Sequence, residues 1–319
     1  MATKTKFELK LGAATREAFG RALVELGKEN ENVVVCDADL SKSTMTTYFA
    51  KEFPSRFFSC GIAEANMVSI GAGLALSGKI PFVSSFSAFV MNKGFEQLRV
   101  NVAYSNTNVK VVGTHSGISI GEDGPSQMSL EDLSLACSLP GFVVISPADE
   151  IAMTALVRHS AAHVGPVFIR AGRIKVPVIY AKDQVFEIGK AIELIEGTDV
   201  TLMSHGLMVA EAIKAAEALE AEGISARVVD MHTIKPLDRA AIAKAASETK
   251  AIVVAEEHLV DGGLGVRVAQ VVSETSPCAM EFVGLTTFAE SGSPEEVLEK
   301  YGMNAASVIA AAKKVLTRK

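Results

Sequence analysis

The sequence predicts an α/β protein of two domains, a parallel-sheet domain over residues 1–180 followed by a smaller α/β domain over 190–319. Continuous β-branched runs alternate with Ala-rich amphipathic stretches through both halves, the pattern of βαβ units around a sheet buried on both faces. The chain has 319 residues and 49% apolar content, more than one typical domain and enough to bury two cores. Between about 174 and 189 the alternation breaks at Pro177 and the polar run Ala181-Lys182-Asp183-Gln184, which reads as the domain boundary.

In order along the first half, strands are expected at 33–36, 81–83, 109–112, 142–145 and 167–169, with helices at about 14–28, 62–77, 88–104, 129–137 and 149–162. Ser129 followed by Asp132 reads as an N-cap with an acidic first turn. Beyond the boundary come a strand at 200–203, a helix at about 207–222, a strand at 226–229, a helix at about 237–247 and a strand at 251–255. The Ala-rich tail at about 294–317 should be helical. No fixed-period repeat or low-complexity segment is present, which removes solenoid and disordered readings.

Lys plus Arg number 31 against 37 Asp plus Glu, a formal net charge of −6, which argues against an extended nucleic-acid surface. No apolar run approaches the roughly 18 residues of a membrane span, and residues 1–10 lack the apolar core of a secretory signal, so a cytoplasmic location is expected. Cys36, Cys60, Cys137 and Cys278 stand far apart without a C-x-x-C pair; they read as buried reduced thiols, not a zinc site or a disulfide framework.

Four segments carry chemistry. In Phe58-Ser59-Cys60-Gly61-Ile62-Ala63-Glu64-Ala65-Asn66-Met67 a single carboxylate opens an otherwise small and apolar helix. It reads either as a helix-terminus charge or as a proton partner for a heterocycle such as the aminopyrimidine of thiamine, whose ring nitrogen grows more basic during activation. In Ser84-Ser85-Phe86-Ser87-Ala88-Phe89, two aromatics offer either core packing or a flat face to a bound ring. The long polar loop Gly113-Thr114-His115-Ser116-Gly117-Ile118-Ser119-Ile120-Gly121-Glu122-Asp123-Gly124-Pro125-Ser126-Gln127-Met128 leaves a strand end, where ligands of open α/β sheets bind. His115 and Asp123 are therefore placed to meet a polar substrate, and are also open to plainer readings as a structural histidine and a turn residue. Arg170 and Arg173 follow another strand and Arg16 lies on the first helix; guanidinium suits phosphate, although surface ion pairing is its commoner use.

Together these segments resemble the pyrimidine-binding and C-terminal domains of transketolases over nearly the whole chain. Gly61-Ile62-Ala63-Glu64 is similar to that family's catalytic glutamate motif, Cys36-Asp37-Ala38-Asp39-Leu40-Ser41-Lys42-Ser43 to its Ser-Ala-Asp-Leu segment, and Gly121-Glu122-Asp123-Gly124-Pro125-Ser126 to its substrate loop. The resemblance implies that Glu64 activates thiamine diphosphate, with His115 also catalytic. It implies that Phe89 stacks on the pyrimidine with Phe86 nearby, and that Gln127, Asp39, Leu40 and Ile62 line the cofactor site. For a sugar phosphate it implies His115 and Asp123 at the hydroxyls, with Arg16, Ser43 and Arg173 at the phosphate. The implied reaction transfers a two-carbon ketol unit between a phosphorylated ketose and an aldose. Two departures stand out: Gln127 replaces the His of many members, though animal-like members also carry Gln, and the spacer from Phe89 to Phe95 is one residue longer than expected, so Phe95 receives no role.

The sequence contains no Gly-Asp-Gly, the motif by which the family holds the diphosphate through Mg2+ or Ca2+; Asp261-Gly262-Gly263-Leu264-Gly265 reads as a turn entering a helix. The resemblance thus implies no metal ligands on this chain and a partner subunit that carries them, in an alpha2beta2 heterotetramer. Three alternatives compete. The beta chain of a 2-oxoacid dehydrogenase decarboxylase component would not be expected to carry Thr114-His115 with Glu122-Asp123-Gly124-Pro125-Ser126. A 1-deoxyxylulose-5-phosphate synthase-like subunit fits the Gly-Glu-Asp-Gly-Pro-Ser-Gln wording less well. A non-catalytic subunit has no need to retain Glu64, Phe89, His115, Asp123 and Arg173 together.

Overall fold

The Val- and Ile-rich runs have no polar face to present to water, and they form the central strands of two sheets in the computed structural model, which describes residues 7–319. Residues 1–6 of the N-terminal stretch considered above lie outside the described residues. The first unit contains β1 (Leu11–Ala14), α1 (Thr15–Glu29), β2 (Val33–Asp37), α2 (Ser41–Thr44), α3 (Thr47–Glu52), β3 (Phe57–Ser59), α4 (Glu64–Leu76), β4 (Ile80–Phe86), α5 (Ser87–Lys93), α6 (Phe95–Gln97), β5 (Lys110–Thr114), α7 (Asp132–Ser138), β6 (Val143–Ile145), α8 (Glu150–Ala162) and β7 (Val167–Arg170). After β8 (Lys175–Pro177) come β9 (Ile192–Ile195), β10 (Val200–Ser204), α9 (Met208–Ala221), β11 (Ala226–Asp230), β12 (Thr233–Lys235), α10 (Arg239–Glu248), β13 (Ala251–Leu259), α11 (Leu264–Thr275), β14 (Ala279–Leu285), α12 (Pro294–Lys300) and α13 (Ala305–Leu316).

The larger sheet runs β12-β6-β7-β5-β4-β2-β3 and is parallel except at β12, which pairs antiparallel with β6. The smaller runs β14-β13-β10-β11-β9, parallel except at β9. The segment 174–189 is not a bare linker: β8 pairs antiparallel with β1, and Tyr180 and Phe186 bury their rings against each other with centroids 4.9 Å apart. Asp149 caps α8 through Ala152 N–H at 2.8 Å and also accepts Ile179 N–H at 2.8 Å, which binds this segment back onto the first unit.

Several expected elements change on contact with tertiary structure. The single helix at 88–104 is three segments, α5, α6 and a wide π-type stretch over Leu98–Tyr104. Gly94 stands at the break, where an added Cβ would lie 2.6 Å from the Val90 carbonyl oxygen. Ser129 is not an N-cap: α7 begins at Asp132 after Glu131, and the buried Ser129 hydroxyl has no side-chain partner among the described residues. The tail is two helices separated at Gly302 rather than one, with a Ser293–Glu296 capping box opening the first. Only Cys36 of the four free thiols is buried; the others are half-buried, and the Cys60 thiol donates to the Phe58 carbonyl at 3.7 Å.

Among the described residues, no helix is long and apolar enough to cross a membrane. The buried Lys110 ammonium donates to Asn108 Oδ1, His163 O and Gly165 O at 2.6–2.7 Å, so all three donors are satisfied; burial nonetheless pushes its pKa down to about 7.

Candidate active site

Parallel strands deliver their carboxyl ends to one side of a sheet, and the chain leaves β2, β3, β4, β5 and β7 there toward Asp39, Glu64, Phe86, His115 and Arg173. After β2, the buried Asp37 carboxylate accepts Leu40 N–H at 2.6 Å and the Thr44 and Thr46 hydroxyls at 2.7 and 2.9 Å. Burial raises its pKa, opposed by those three hydrogen bonds. The tight bend puts Asp39 at φ 65° and sets Ser43 against the first helix, where Arg16 Nη1 donates to the Ser43 carbonyl at 2.7 Å.

Glu64 is the first residue of α4 and only 3% exposed, so its helix-terminus position and its buried pocket coexist. Its Oε2 lies 3.7 Å from Lys93 Nζ, and the same ammonium stands 4.4 Å from the Phe89 ring centroid. Phe89 stacks on Phe86 with centroids 5.6 Å apart and planes at 16°, and Phe86 stacks on His115 at 3.9 Å and 24°. The two aromatics are therefore neither simple core nor isolated; they form one end of a ring stack that runs into the polar loop.

His115 sits at φ 56° directly after β5. Its Nε2 faces Arg16 Nη1 at 3.4 Å and its Nδ1 faces Thr114 Oγ1 at 2.9 Å. A guanidinium can only donate, so Nε2 accepts and the ring proton is on Nδ1. Burial, with Arg16 and Arg173 adding to it, pushes the His115 pKa down to about 3, and the imidazole is neutral. Arg16 Nε also donates to the Arg173 carbonyl at 3.3 Å. Arg173 itself pairs with the exposed Glu122 carboxylate at 2.7 Å and donates to the Ile120 carbonyl, and this pairing holds Glu122 below its ordinary pKa.

Of the residues singled out above, the fold thus gathers Arg16, Ser43, His115 and Arg173 in one polar cluster, beside Phe86 and Phe89, with Glu64 next to Phe89. Asp39, Ile62 and Asp123 are exposed, and Leu40 and Gln127 are half-buried on the way to them. Arg170 does not join the cluster. It is buried, with Nε 2.9 Å from Asp132 Oδ2 and Nη2 2.8 Å from the Glu257 carbonyl.

Lys93 and Glu257 were not read from the sequence. Lys93 follows Phe89 at helical i,i+4 spacing, a weak signal on its own. Glu257 is buried in the Glu256-Glu257-His258 run, three titratable groups at the end of an apolar strand, and that run was the available clue; burial pushes its carboxyl up to about 7, against the Arg170 guanidinium. Among the described residues, no group of three His, Cys, Asp or Glu side chains is arranged to hold a metal ion.

The sequence matches the transketolase pyrimidine-binding domain over residues 12–178 and the transketolase C-terminal domain over 189–308. A solved structure described as a split gene transketolase, inactive beta4 tetramer, superposes with a TM-score of 0.90 at 49% identity, covering 96% of this chain and 99% of that one. A 6-deoxy-6-sulfo-D-fructose transketolase subunit from Clostridium sp. (strain MSTE9) is 39% identical over 315 residues, 98% of each chain. Transketolase-like protein 2 of Mus musculus is 42% identical over 304 residues, which are 94% of this chain and 48% of that one, so the chain spans about half the length of this relative. With both of its α/β units matched, in order and nearly end to end, the chain belongs to the transketolase family and carries its pyrimidine-binding and C-terminal domains.

Proposed function

We propose that this chain is the C-terminal subunit of a thiamine-diphosphate-dependent transketolase, moving a two-carbon ketol unit between a phosphorylated ketose and an aldose, and active with a partner subunit that holds the diphosphate and its Mg2+ or Ca2+. The observation that carries the reading is the convergence of Arg16, Ser43, His115 and Arg173 from four separate segments beside the Phe86–Phe89 stack. Two guanidiniums on an acidic protein mark a local anion site.

The residues present fit the pyrimidine half of the cofactor. A buried carboxylate and an adjacent ring face already share one cationic head, that of Lys93, which is the pair of contacts a protonatable heterocycle requires. Bound thiamine diphosphate supplies a nucleophilic carbon and an electron sink. Glu64 offers its carboxylate to the pyrimidine ring nitrogen and exchanges a proton there, Phe89 covers the ring with Phe86 behind it, and Asp39, Leu40, Ile62 and Gln127 line the remainder. His115, neutral and fixed as the Nδ1–H tautomer, presents Nε2 as an acceptor to a sugar hydroxyl in place of the long contact from Arg16, and Asp123 accepts a second hydroxyl. The terminal anion displaces Glu122 from Arg173 and is shared with Arg16 and Ser43. The name of the Clostridium relative places a sulfo group on carbon 6 of its sugar, and a sulfonate is an anion that the same grip can accept.

A beta4 assembly described as inactive in a relative supports the requirement for a second kind of chain, and we propose the alpha2beta2 stoichiometry for the active form. The test is ketol transfer from xylulose 5-phosphate to ribose 5-phosphate, with 6-deoxy-6-sulfofructose as a parallel donor, using thiamine diphosphate and Mg2+ with this chain alone and with its partner. Activity only in the mixture, abolished by Glu64→Ala, supports the reading. Full activity from the chain alone refutes the split site, and turnover of pyruvate but not of sugars by the complex moves the assignment to a decarboxylase.

A further inference from the structure

The loop 117–124 reaches the sugar side through Glu122 and Asp123, yet its back rests on the second α/β unit. Ser119 N–H donates to Glu257 Oε1 at 2.6 Å, and both residues are buried. Three loop glycines turn the chain with positive φ, and each faces that unit. An added Cβ at Gly117 (φ 80°) would lie 2.1 Å from the Glu257 carboxyl carbon, one at Gly121 (φ 77°) 2.9 Å from Pro294 Cδ, and one at Gly124 (φ 83°) 2.4 Å from Ser291 Oγ. The Glu257 backbone is itself fixed, since its carbonyl accepts Arg170 Nη2 at 2.8 Å and the next strand residue but one, Leu259, donates to the Leu130 carbonyl at 3.0 Å. From the front, Arg173 holds the same loop at the Ile120 carbonyl and Glu122.

We propose that Glu257 is a positioning residue for the sugar: from the second unit it accepts the Ser119 amide, fixes the path of 117–124 and so sets where Asp123 and the Glu122–Arg173 pair stand, without touching substrate. A buried amide without an acceptor is costly, and the Glu257 carboxyl oxygen is the acceptor here, so this one contact governs whether the loop holds its glycine-shaped course. The inference rests on the transketolase reading for its sugar, but the attachment of the loop is a property of this chain alone, and the two are tested separately.

Amide hydrogen exchange over 117–124 is measured on the isolated chain for wild type, Glu257→Ala and Glu257→Gln, with folding checked by circular dichroism, and sugar-phosphate KM, kcat and cofactor affinity are measured on the complex with the partner subunit. Glu257→Ala is expected to speed exchange across the loop by at least about tenfold and to raise KM by a similar factor with cofactor affinity unchanged, the change that leaving a buried amide without its acceptor gives. Glu257→Gln, which keeps an acceptor, is expected to restore both. If Glu257→Ala does not fold, Gly117→Ala, which crowds the same carboxylate, carries the same expectations. Unchanged loop exchange overturns the inference whatever the activity; so does a Gln variant as loose as Ala, or a loosened loop whose only kinetic effect is weaker cofactor binding. A wild-type complex without ketol transfer sinks the functional reading instead, and the exchange result then decides the attachment of the loop by itself.

Discussion

Substituting Asp132 by Asn removes one negative charge from the most enclosed ion pair in the first unit while leaving its shape. Asp132 is fully buried; it takes Arg170 Nε at 2.9 Å and the Ser87 hydroxyl at 2.8 Å, and His258 Nε2 lies 3.7 Å away. Burial alone would raise the Asp132 pKa, but the Arg170 guanidinium, His258 and these hydrogen bonds overcome it and hold the carboxyl below its ordinary value. Without the Asp132 charge, Arg170 is a buried cation whose other hydrogen-bond acceptors are two backbone carbonyls, those of Ser129 and Glu257, with the Glu257 and Glu256 carboxyls acting on it only through space. Leaving one member of a buried pair uncompensated costs about 3–5 kcal/mol. For a chain of 319 residues the unfolding entropy converts that into a Tm lower by roughly 4–7 °C. Because the folded pKa is depressed, the stabilisation is fully present above the unfolded pKa of about 3.9 and is lost as pH falls through the folded value; the gap between wild type and Asp132→Asn should therefore hold steady from pH 5 to 8 and close in acid. Scanning calorimetry across that range is the assay, with Arg170→Met and the double variant completing a cycle in which the double is less destabilised than the sum of the singles. A drop below about 1 °C at pH 7, or strict additivity, would refute the view of this pair as a mutually dependent buried unit.

Three further outcomes follow from groups described above. His115, one of six histidines, should show no ring titration by NMR between pH 5 and 8, since its pKa stands at about 3; the unfolded chain protonates near 6.5 where the fold does not, so this residue lowers stability as pH drops below about 6.5, and His115→Gln should remove that contribution. Asp230, buried and capped by the Tyr180 hydroxyl at 2.6 Å, has its pKa raised to about 8, first by burial and then by Asp149. The fold therefore retains a proton that the unfolded chain releases near pH 4; stability should decline as pH rises from about 4 to 8, and Asp230→Asn should flatten that slope in urea titrations. Arg16→Ala in the assembled enzyme should raise KM for the phosphorylated sugar by about 10–100-fold with a smaller change for its dephosphorylated analogue; equal effects on both would place Arg16 outside the anion site.

Much of the fold was legible because its central strands are continuous apolar runs, and β2, β4, β5, β6 and β7 carry that signal locally. The short strands β1, β3, β8 and β12 carry almost none; three or four residues become strand only when a distant edge offers hydrogen bonds. The break at Gly94 was hidden for a similar reason, since what ends the helix there is a close approach to the preceding turn that no periodicity reports. The polar cluster of Arg16, Ser43, His115 and Arg173 was legible because its members each sit in a recognisable segment. Its supports were not. Asp132, Arg170 and Glu257 are separated by 38 and 87 positions, and only the packing of two sheets makes them one network.

The antiparallel strand β12 belongs in sequence to the second unit but closes the larger sheet by pairing with β6. A ribosome that has released only the first 190 residues has therefore produced a six-stranded sheet whose β6 margin bears unpaired N–H and C=O groups, a template for adventitious pairing with other chains. Completion waits for Thr233–Lys235 to emerge, so the first unit matures only after nearly fifty residues of the next have been made. The same strap explains why a cut near the apparent boundary should yield a sticky fragment: the two halves are knitted through the sheet, and expressing the first alone would need β12 supplied as a peptide or fused back onto that margin.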